Sequence, residues 1–223
     1  MKISRTISTA VLSLMASTLV SAADYTVSGQ YVTIPVKQVQ DDGARIVRLQ
    51  VVSDNIIRVQ ATPDTQLPEK QSLIIVKQTA TPKFEVTDTV VRVAGIPPTD
   101  PKGSTPAVCV KSAGVKAVVE LETGRIAFYD NSGKLLLSET KDRGKTFQPF
   151  RVPDREIGVD VAKVPEAQRN GYTWRMLFDS PIEEAFYGLG QHQAEELNMK
   201  NLNEDLFQYN TKVSVPFVLS NKN

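Results

Sequence analysis

A short glycine-containing run beside the only histidine is the part of this sequence best suited to binding a substrate. Gly188 and Gly190 bracket one leucine, and His192 follows closely. Glycines at this spacing indicate tightly held backbone, through left-handed torsion angles or through the close approach of another chain segment. The polar stretch 198–203 and the carboxylate of Asp205 come next. We interpret this order as a loop that faces a substrate on a β-scaffold, without a complete catalytic site.

The carboxylates around this run come mainly as adjacent pairs. Neighbouring side chains point to opposite faces of a strand and diverge by roughly 100° around a helix. Two adjacent carboxylates therefore rarely face one substrate bond together. We expect solvated charges rather than catalytic acids at these pairs, which are Glu183-Glu184, Glu195-Glu196 and Glu204-Asp205.

Metal and thiol chemistry have little support. The chain has one cysteine and one histidine, too few for a zinc site, which takes about four ligands. Cys109 cannot form a disulfide within the chain, and its apolar neighbours predict a small buried residue in a strand. A thiol nucleophile would need His192 as its base, and nothing in the sequence points to that pair. We predict no metal and no cofactor.

The elements that must position these residues are predicted to be strands. In 44–52, three apolar residues alternate with Arg48 and Gln50, which is the period of two that indicates a half-buried strand. Turn residues bound it on both sides. A meander of three strands with Gly and Asn turns covers 115–138. Other strands are predicted at 56–61, 73–77, 84–93, 172–178 and 213–219.

Short strands at intervals of about 8–12 residues predict a sandwich or a barrel. We predict an all-β chain that forms one antiparallel β-sandwich domain. Only 161–169 and 194–197 have weak helical character, and no βαβ alternation is present, so a Rossmann fold or a (β/α)₈ barrel is not expected within this chain. The proline-rich stretches 95–106 and 141–165 are predicted to be loops.

Trp174 is the one tryptophan of the chain. Its predicted strand face also carries Tyr172, Met176 and Phe178. We therefore expect a core anchor at Trp174 rather than a platform for a sugar ring.

The N-terminus has the composition of a secretory signal peptide. Lys2 and Arg5 precede a short apolar core, and Val20-Ser21-Ala22 supplies small residues before a cleavage site. The core is shorter than the roughly 20 residues that cross a bilayer. We predict cleavage after Ala22, with Ala23 as the alternative. The product would be a periplasmic or secreted protein without a membrane anchor, whose domain spans 23–223. An amphipathic first helix is the competing interpretation.

The charge balance argues against one class of partner. The formal net charge is +1, and the chain has no cluster of Lys and Arg interleaved with aromatic residues. Proteins that bind nucleic acid carry such basic patches. We predict no nucleic-acid partner.

At Tyr187-Gly188-Leu189-Gly190-Gln191 the chain resembles family 31 of the glycoside hydrolases. The resemblance continues through Asn198, Asn203, Asp205, 209–211 and Val215-Pro216-Phe217. It also covers 47–59 and 121–124, where that family has an N-terminal, galactose-mutarotase-like β-sandwich. Gln191 departs from the glutamate that is commoner there. Together with 191–193, the run 208–211 resembles the branch that contains α-xylosidases acting on xyloglucan fragments.

The resemblance implies retaining cleavage of α-linked sugars from non-reducing ends. Retention needs two carboxyl groups about 5–5.5 Å apart, and in the family both are aspartates on a (β/α)₈ barrel that follows the sandwich. We interpret this chain as ending before that barrel, and we expect it to be inactive alone. Its role would be to pack on the barrel and to contribute one loop to the pocket for an α-linked oligosaccharide.

The same resemblance implies candidate substrate-binding residues. An aspartate at the position of Asp205 hydrogen-bonds sugar hydroxyls, a task that suits a carboxylate because it accepts two donors. Asn203 is a candidate to orient the loop or bind the sugar. His192 is the third candidate, and it is also explained as a loop residue bonded to backbone groups.

Two other function classes stay open at this point. A stand-alone periplasmic carbohydrate-binding β-sandwich would bind sugars through exposed aromatic residues. A purely structural assembly domain would bind none. The sequence leaves α-xylosides and α-glucosides undecided.

Overall fold

Antiparallel strands make up nearly all the regular structure that this chain shows. The computed structural model describes residues 24–68, 82–92, 96, 100–151, 163, 165, 169–192 and 196–222. Besides a 3₁₀ turn at Pro101–Gly103, the strands in these ranges are β1 (Thr26–Ser28), β2 (Tyr31–Pro35), β3 (Ile46–Ser53), β4 (Ile56–Thr62), β5 (Glu85–Arg92), β6 (Ser104–Lys111), β7 (Lys116–Glu120), β8 (Ile126–Tyr129), β9 (Leu135–Ser138), β10 (Lys145–Arg151), β11 (Asn170–Met176), β12 (Phe186–Gln191) and β13 (Val213–Ser220).

Each strand pairs with its neighbour in the sequence. The two larger sheets have the orders β1-β2-β3-β4 and β5-β6-β7-β8-β9, and the hairpins β10-β11 and β12-β13 are two-stranded sheets. Short turns join β1 to β2, β3 to β4 and the successive strands from β6 to β9, because a hairpin needs only a few residues to reverse the chain. Longer connections join the other paired strands. Leu49 lies opposite Val59, and Val108 lies opposite Val119.

One core lies between the two larger sheets. Val47, Leu49 and Val51 of β3 are fully buried, which confirms the alternation predicted for 44–52, although Gln50 is also buried. They belong to a contiguous cluster that draws on both sheets: Val32, Ile34, Val36, Ala44, Val47, Leu49, Val51, Val108, Val110, Ala117, Val119, Leu121 and Ile126. Two sheets that bury one face each against a shared core form a β-sandwich. The predicted fold class is confirmed.

A buried ion pair joins the second sheet to the β10-β11 hairpin. Glu139 is 2% exposed and Lys145 is 8% exposed, and the Lys145 ammonium donates to Glu139 Oε2 and to the Gly124 carbonyl, the latter at 2.8 Å. The Ile126 amide also donates to Glu139 Oε2, at 3.2 Å. Burial lowers the pKa of Lys145, and the Glu139 carboxylate opposes that shift. This pair anchors the hairpin to the sandwich.

Three of the predicted loops contain strands. β10 lies within 141–165 and β6 begins within 95–106, and β12 carries the glycine run that was predicted to be a loop. Among the described strands β10 pairs only with β11, and such an edge strand tolerates Pro149 because it does not need every N–H in a ladder. The glycines of β12 weakened its strand pattern, and its pairing with β13 overrides that local preference.

The structure corrects the predictions for Trp174 and Cys109. Trp174 is 63% exposed, since the β10-β11 sheet leaves most of β11 open in the described part of the chain. Cys109 is half-buried rather than buried, because it faces away from the core that takes Val108 and Val110. Desolvation raises the pKa of the Cys109 thiol, which favours the neutral form and not a reactive thiolate.

Some predictions concern residues that the structure does not describe. The signal peptide, the strand at 73–77 and most of 161–169 and 194–197 lie outside the described ranges. In the ranges that are described, no helix has the length and apolar composition to cross a membrane, and no group of three acidic, histidine or cysteine side chains is placed to hold a metal ion.

Candidate functional site

The glycine run forms a distorted ladder between β12 and β13. Gly188 pairs with Val218 and Gly190 pairs with Ser214. One residue of β12, Leu189, therefore faces three residues of β13, which are Val215, Pro216 and Phe217. A bulge of this kind accommodates a proline, because the residues within it do not complete the ladder.

Both glycines are required by torsion angle and by space. Their φ angles are +120° at Gly188 and +105° at Gly190, and residues other than glycine rarely adopt such angles. A Cβ at Gly188 would overlap the carbonyl oxygen of Phe217. A Cβ at Gly190 would overlap the carbonyl oxygen of Val213 and lie 2.8 Å from the Val215 amide nitrogen. The prediction of tightly held backbone is confirmed in both of its forms. Leu189 adds a left-handed residue, with φ +65°.

The chain between β12 and β13 returns along β12. The Met199 amide donates to the Phe186 carbonyl at 2.8 Å, and the Phe186 amide donates to Asn198 Oδ1 at 3.0 Å. Further on, Glu204 reaches His192 just past the end of β12. The described part of this connection, 196–212, is called the return segment below. Its first contacts fix it at the start of β12 and its later contacts at the end.

Three charged or polar side chains close the base of the return segment. The Nε2 of His192 lies 2.7 Å from the Leu189 carbonyl oxygen, and because a carbonyl only accepts, Nε2 carries a proton. Its Nδ1 lies 3.1 Å from Glu204 Oε1. Within the described residues Nδ1 has no directed hydrogen bond, so the imidazole and the carboxylate are in contact without one. The Lys212 ammonium donates to the same Glu204 oxygen.

The hydrogen bond from Lys212 holds the pKa of Glu204 below its ordinary value of 4.5; partial burial opposes this, and the charges of Lys212 and His192 add to it. Because the folded pKa lies below the unfolded one, Glu204 contributes stability that is present above pH 4.5 and is lost as the pH falls through the lowered value.

Acid is therefore expected to loosen the return segment before the sandwich. Amide hydrogen exchange compared between about pH 6 and pH 3 should show selective loss of protection at Leu202, Phe207 and Lys212 after correction for intrinsic rates. In Glu204→Gln this selective pH dependence should be absent. Equal loss in the variant and the natural chain would assign the effect to other groups.

The predicted site residues lie on one segment but do different things. Asn203 and Asp205 are exposed, while the side chain of Glu204 between them is 19% exposed. The side chain of His192 is only 6% exposed, and its contact with the Leu189 carbonyl matches the interpretation as a loop residue bonded to backbone. Asp205 accepts a backbone hydrogen bond from the Phe207 amide at 3.1 Å, and its side chain faces solvent.

The expectation of solvated acid pairs is wrong at two positions. Glu184 is buried and accepts from the Ser220 hydroxyl at 2.6 Å, and Glu204 is engaged by Lys212 and His192. Their neighbours Glu183 and Asp205 are exposed, so adjacent carboxylates do point apart as predicted. Sequence reasoning missed the roles of Glu204 and Lys212. Residues 203–205 are all polar, so their residue types gave no signal that Glu204 faces inward.

Exposed aromatic side chains lie next to Asp205. Phe207 and Tyr209 stack with ring centroids 5.2 Å apart, and both are exposed. The Lys212 ammonium lies 5.5 Å from the centre of the Phe207 ring. The segment therefore places exposed polar side chains and exposed aromatic rings close together in the chain.

A family model for the glycosyl hydrolase 31 N-terminal galactose mutarotase-like domain matches residues 46–223. The chain belongs to this family. The match includes the second sheet, both hairpins and the return segment, and it confirms the resemblance seen at the glycine run.

Individual relatives are much longer than this chain. It is 29% identical over 117 residues to an uncharacterized family 31 glucosidase, ORF2, of Pseudescherichia vulneris, a match that spans 50% of this chain and 22% of the relative. It is similar to the crystal structure of a GH31 α-xylosidase from Xanthomonas citri, with a TM-score of 0.63 and 31% identity over 88% of this chain and 18% of that one. A GH31 α-xylosidase from a soil metagenome, complexed with xylose, shares the fold with a TM-score of 0.57 at 22% identity, over 90% of this chain and 27% of its own.

Proposed function

We propose that this chain is the non-catalytic N-terminal domain of an exported, retaining exo-α-glycosidase. It packs on a catalytic (β/α)₈ barrel and contributes the return segment to the substrate pocket. The observation that carries the proposal is the pinned segment itself. A hairpin within the family match holds Asn203 and Asp205 in solvent beside two exposed aromatic rings.

The faces of β13 support packing against a second domain. Its exposed apolar side chains are Val213, Val215, Phe217, Val218 and Leu219. Exposed apolar side chains concentrated on one strand commonly mark an interface. A barrel that covers this hairpin would remove the apolar surface from water and would bring the neighbouring return segment to the barrel mouth.

The relatives and the run that begins at the end of β12 support one substrate class. The structure at 31% identity is an α-xylosidase, and residues 191–193 with 208–211 resemble the branch that contains such enzymes. We propose an α-xyloside substrate. An α-glucoside is the competing substrate, since the Pseudescherichia relative is named a glucosidase.

Export is the second part of the proposal. The composition of residues 1–22 supports secretion to the periplasm or the medium. Mass spectrometry of the protein recovered from those compartments should identify Ala23 as the first residue. A mature protein that keeps Met1 would contradict export by cleavage.

Asp205→Ala tests the role of the return segment in the complete enzyme. Loss of a charged hydrogen-bond acceptor for sugar hydroxyls is expected to lower kcat/KM by about tenfold or more, because such bonds contribute about 1.5–3 kcal/mol. The measurement compares aryl α-xyloside and α-glucoside hydrolysis by the natural protein and the variant. The matched control is Asp41→Ala, which removes an exposed turn carboxylate and should leave the kinetics unchanged.

Two results would overturn parts of this proposal. If the open reading frame does not continue past Asn223 for the length of a barrel, the proposal that this chain is a domain of a glycosidase is refuted. Unchanged oligosaccharide kinetics in Asp205→Ala would remove only Asp205 from the pocket.

A stand-alone carbohydrate-binding domain is the second candidate, because Trp174 is exposed. It lies with Phe147 and Tyr172 along a groove that Asp64 borders, and the Tyr172 hydroxyl donates to Asp64 at 2.8 Å. Aromatic faces beside a carboxylate can hold a sugar ring. As the sole tryptophan, Trp174 reports binding by its fluorescence. Titration and calorimetry with xyloglucan and maltose oligosaccharides separate the candidates, since the leading proposal expects little or no binding by this chain.

A further inference from the structure

Glu204 is the one inward-facing side chain in the part of the return segment that carries Asn203 and Asp205. It contacts both ends of the connection, since His192 directly follows β12 and Lys212 directly precedes β13. The last pair of the hairpin, Gln191 with Val213, lies beside the two contacts. The carboxylate thus closes the base of the segment at the point where the ladder ends.

The charges around Glu204 are arranged to hold it in place. Lys212 donates to Oε1, and Nδ1 of the imidazole lies 3.1 Å from the same oxygen. The Leu189 carbonyl fixes the ring through Nε2. Leu189 has a left-handed backbone conformation. It lies between Gly188 and Gly190, where an added Cβ would overlap backbone atoms of β13. The strained glycine run therefore orients the imidazole, and the imidazole faces Glu204.

We propose that Glu204 is a positioning residue that turns Asn203 and Asp205 toward the sugar. These three positions alternate in exposure, since Asn203 and Asp205 are exposed and the side chain of Glu204 between them is only 19% exposed. Fixing Glu204 inward then fixes both neighbours outward. The sugar-facing half of this statement rests on the proposed function, whereas the clamp on Glu204 concerns this chain alone.

The clamp is tested on the 223-residue chain by Glu204→Gln, which keeps the shape and removes the charge. Amide exchange at Leu202, Phe207 and Lys212, which donate within the segment, should accelerate about tenfold or more. Amides of β3 and β7 should not change. His192 is the only histidine, so its ring signals in NMR spectra are unambiguous, and they should shift in the variant. The control is Glu183→Gln, at an exposed carboxylate just before β12.

Two results would overturn the clamp. The first is that Glu204→Gln has the exchange rates and ring signals of the natural chain. The second is that Glu183→Gln changes them equally.

The positioning role is tested in the complete enzyme. We expect Glu204→Gln to raise KM by about tenfold and its effect to be non-additive with Asp205→Ala, as for residues that act as one unit. The positioning role would be refuted if the kinetic effects of Glu204→Gln and Asp205→Ala were additive. It would also be refuted if Glu204→Gln loosened the segment and left KM unchanged. If Asp205→Ala leaves the kinetics unchanged while Glu204→Gln loosens the segment, the proposed pocket role of Asp205 fails and the clamp on Glu204 stands.

Discussion

Gly190→Ala is expected to break the end of the β12-β13 ladder and to destabilise that hairpin by about 2–4 kcal/mol. The new Cβ would meet the Val213 carbonyl oxygen, which belongs to the backbone and cannot rotate away, and alanine is strained at φ +105°. Urea unfolding and amide exchange on β12 and β13 measure the effect. Because His192 follows the ladder directly, the return segment should lose protection with it.

Gly133→Ala separates torsion from crowding. Gly133 has φ +93°, close to that of Gly190, and a Cβ there would meet nothing within 4 Å. It should lose only the torsional part, about 1–2 kcal/mol. If Gly133→Ala and Gly190→Ala lower the free energy of unfolding equally, the close approach of β13 is not the reason for glycine at position 190.

Lys145→Met is expected to destabilise the chain by about 3–5 kcal/mol, because it leaves the Glu139 carboxylate buried without its cation. The Gly124 carbonyl also loses the ammonium that donates to it. Thermal and urea unfolding at neutral pH measure the loss. The β10-β11 hairpin should be affected first, since Lys145 is its first residue.

The double variant Glu139→Gln with Lys145→Met should recover much of that stability, since it removes both charges and keeps an acceptor for the Ile126 amide. Lys111→Met is the surface control. Lys111 lies 3.9 Å from Glu85 with both side chains largely exposed, so its loss should cost less than about 1 kcal/mol. If the double variant is as unstable as Lys145→Met, the loss of stability comes from the changed side-chain volume and not from an unpaired buried charge.

Local pattern was sufficient for much of the fold. The alternation around Leu49 predicted which side chains of β3 enter the core, because the period of a strand is a property of its own backbone. The glycine run also predicted its own geometry, since positive torsion angles and close approach both exclude a Cβ. Its specific residues further identified the family that the comparison confirmed.

The errors occurred where a residue's surroundings come from distant parts of the chain. Trp174 shares a strand face with other apolar residues, yet the sheet that contains it has two described strands only, and its side chain is 63% exposed. Glu184 looked like a surface acid until β13 brought Ser220 to it. Burial of one residue depends on what packs over it, and no window of neighbouring residues contains that information.

The candidate site divides along the same line. The order of residue types indicated that a glycine run followed by polar residues could present Asn203 and Asp205. Side-chain chemistry and backbone freedom are local properties, so the sequence shows them. That Glu204 faces inward, between His192 and Lys212, required the pairing of β12 with β13. Charges separated along the chain meet only when strand register brings the two ends of a connection together, and register is set by the whole ladder.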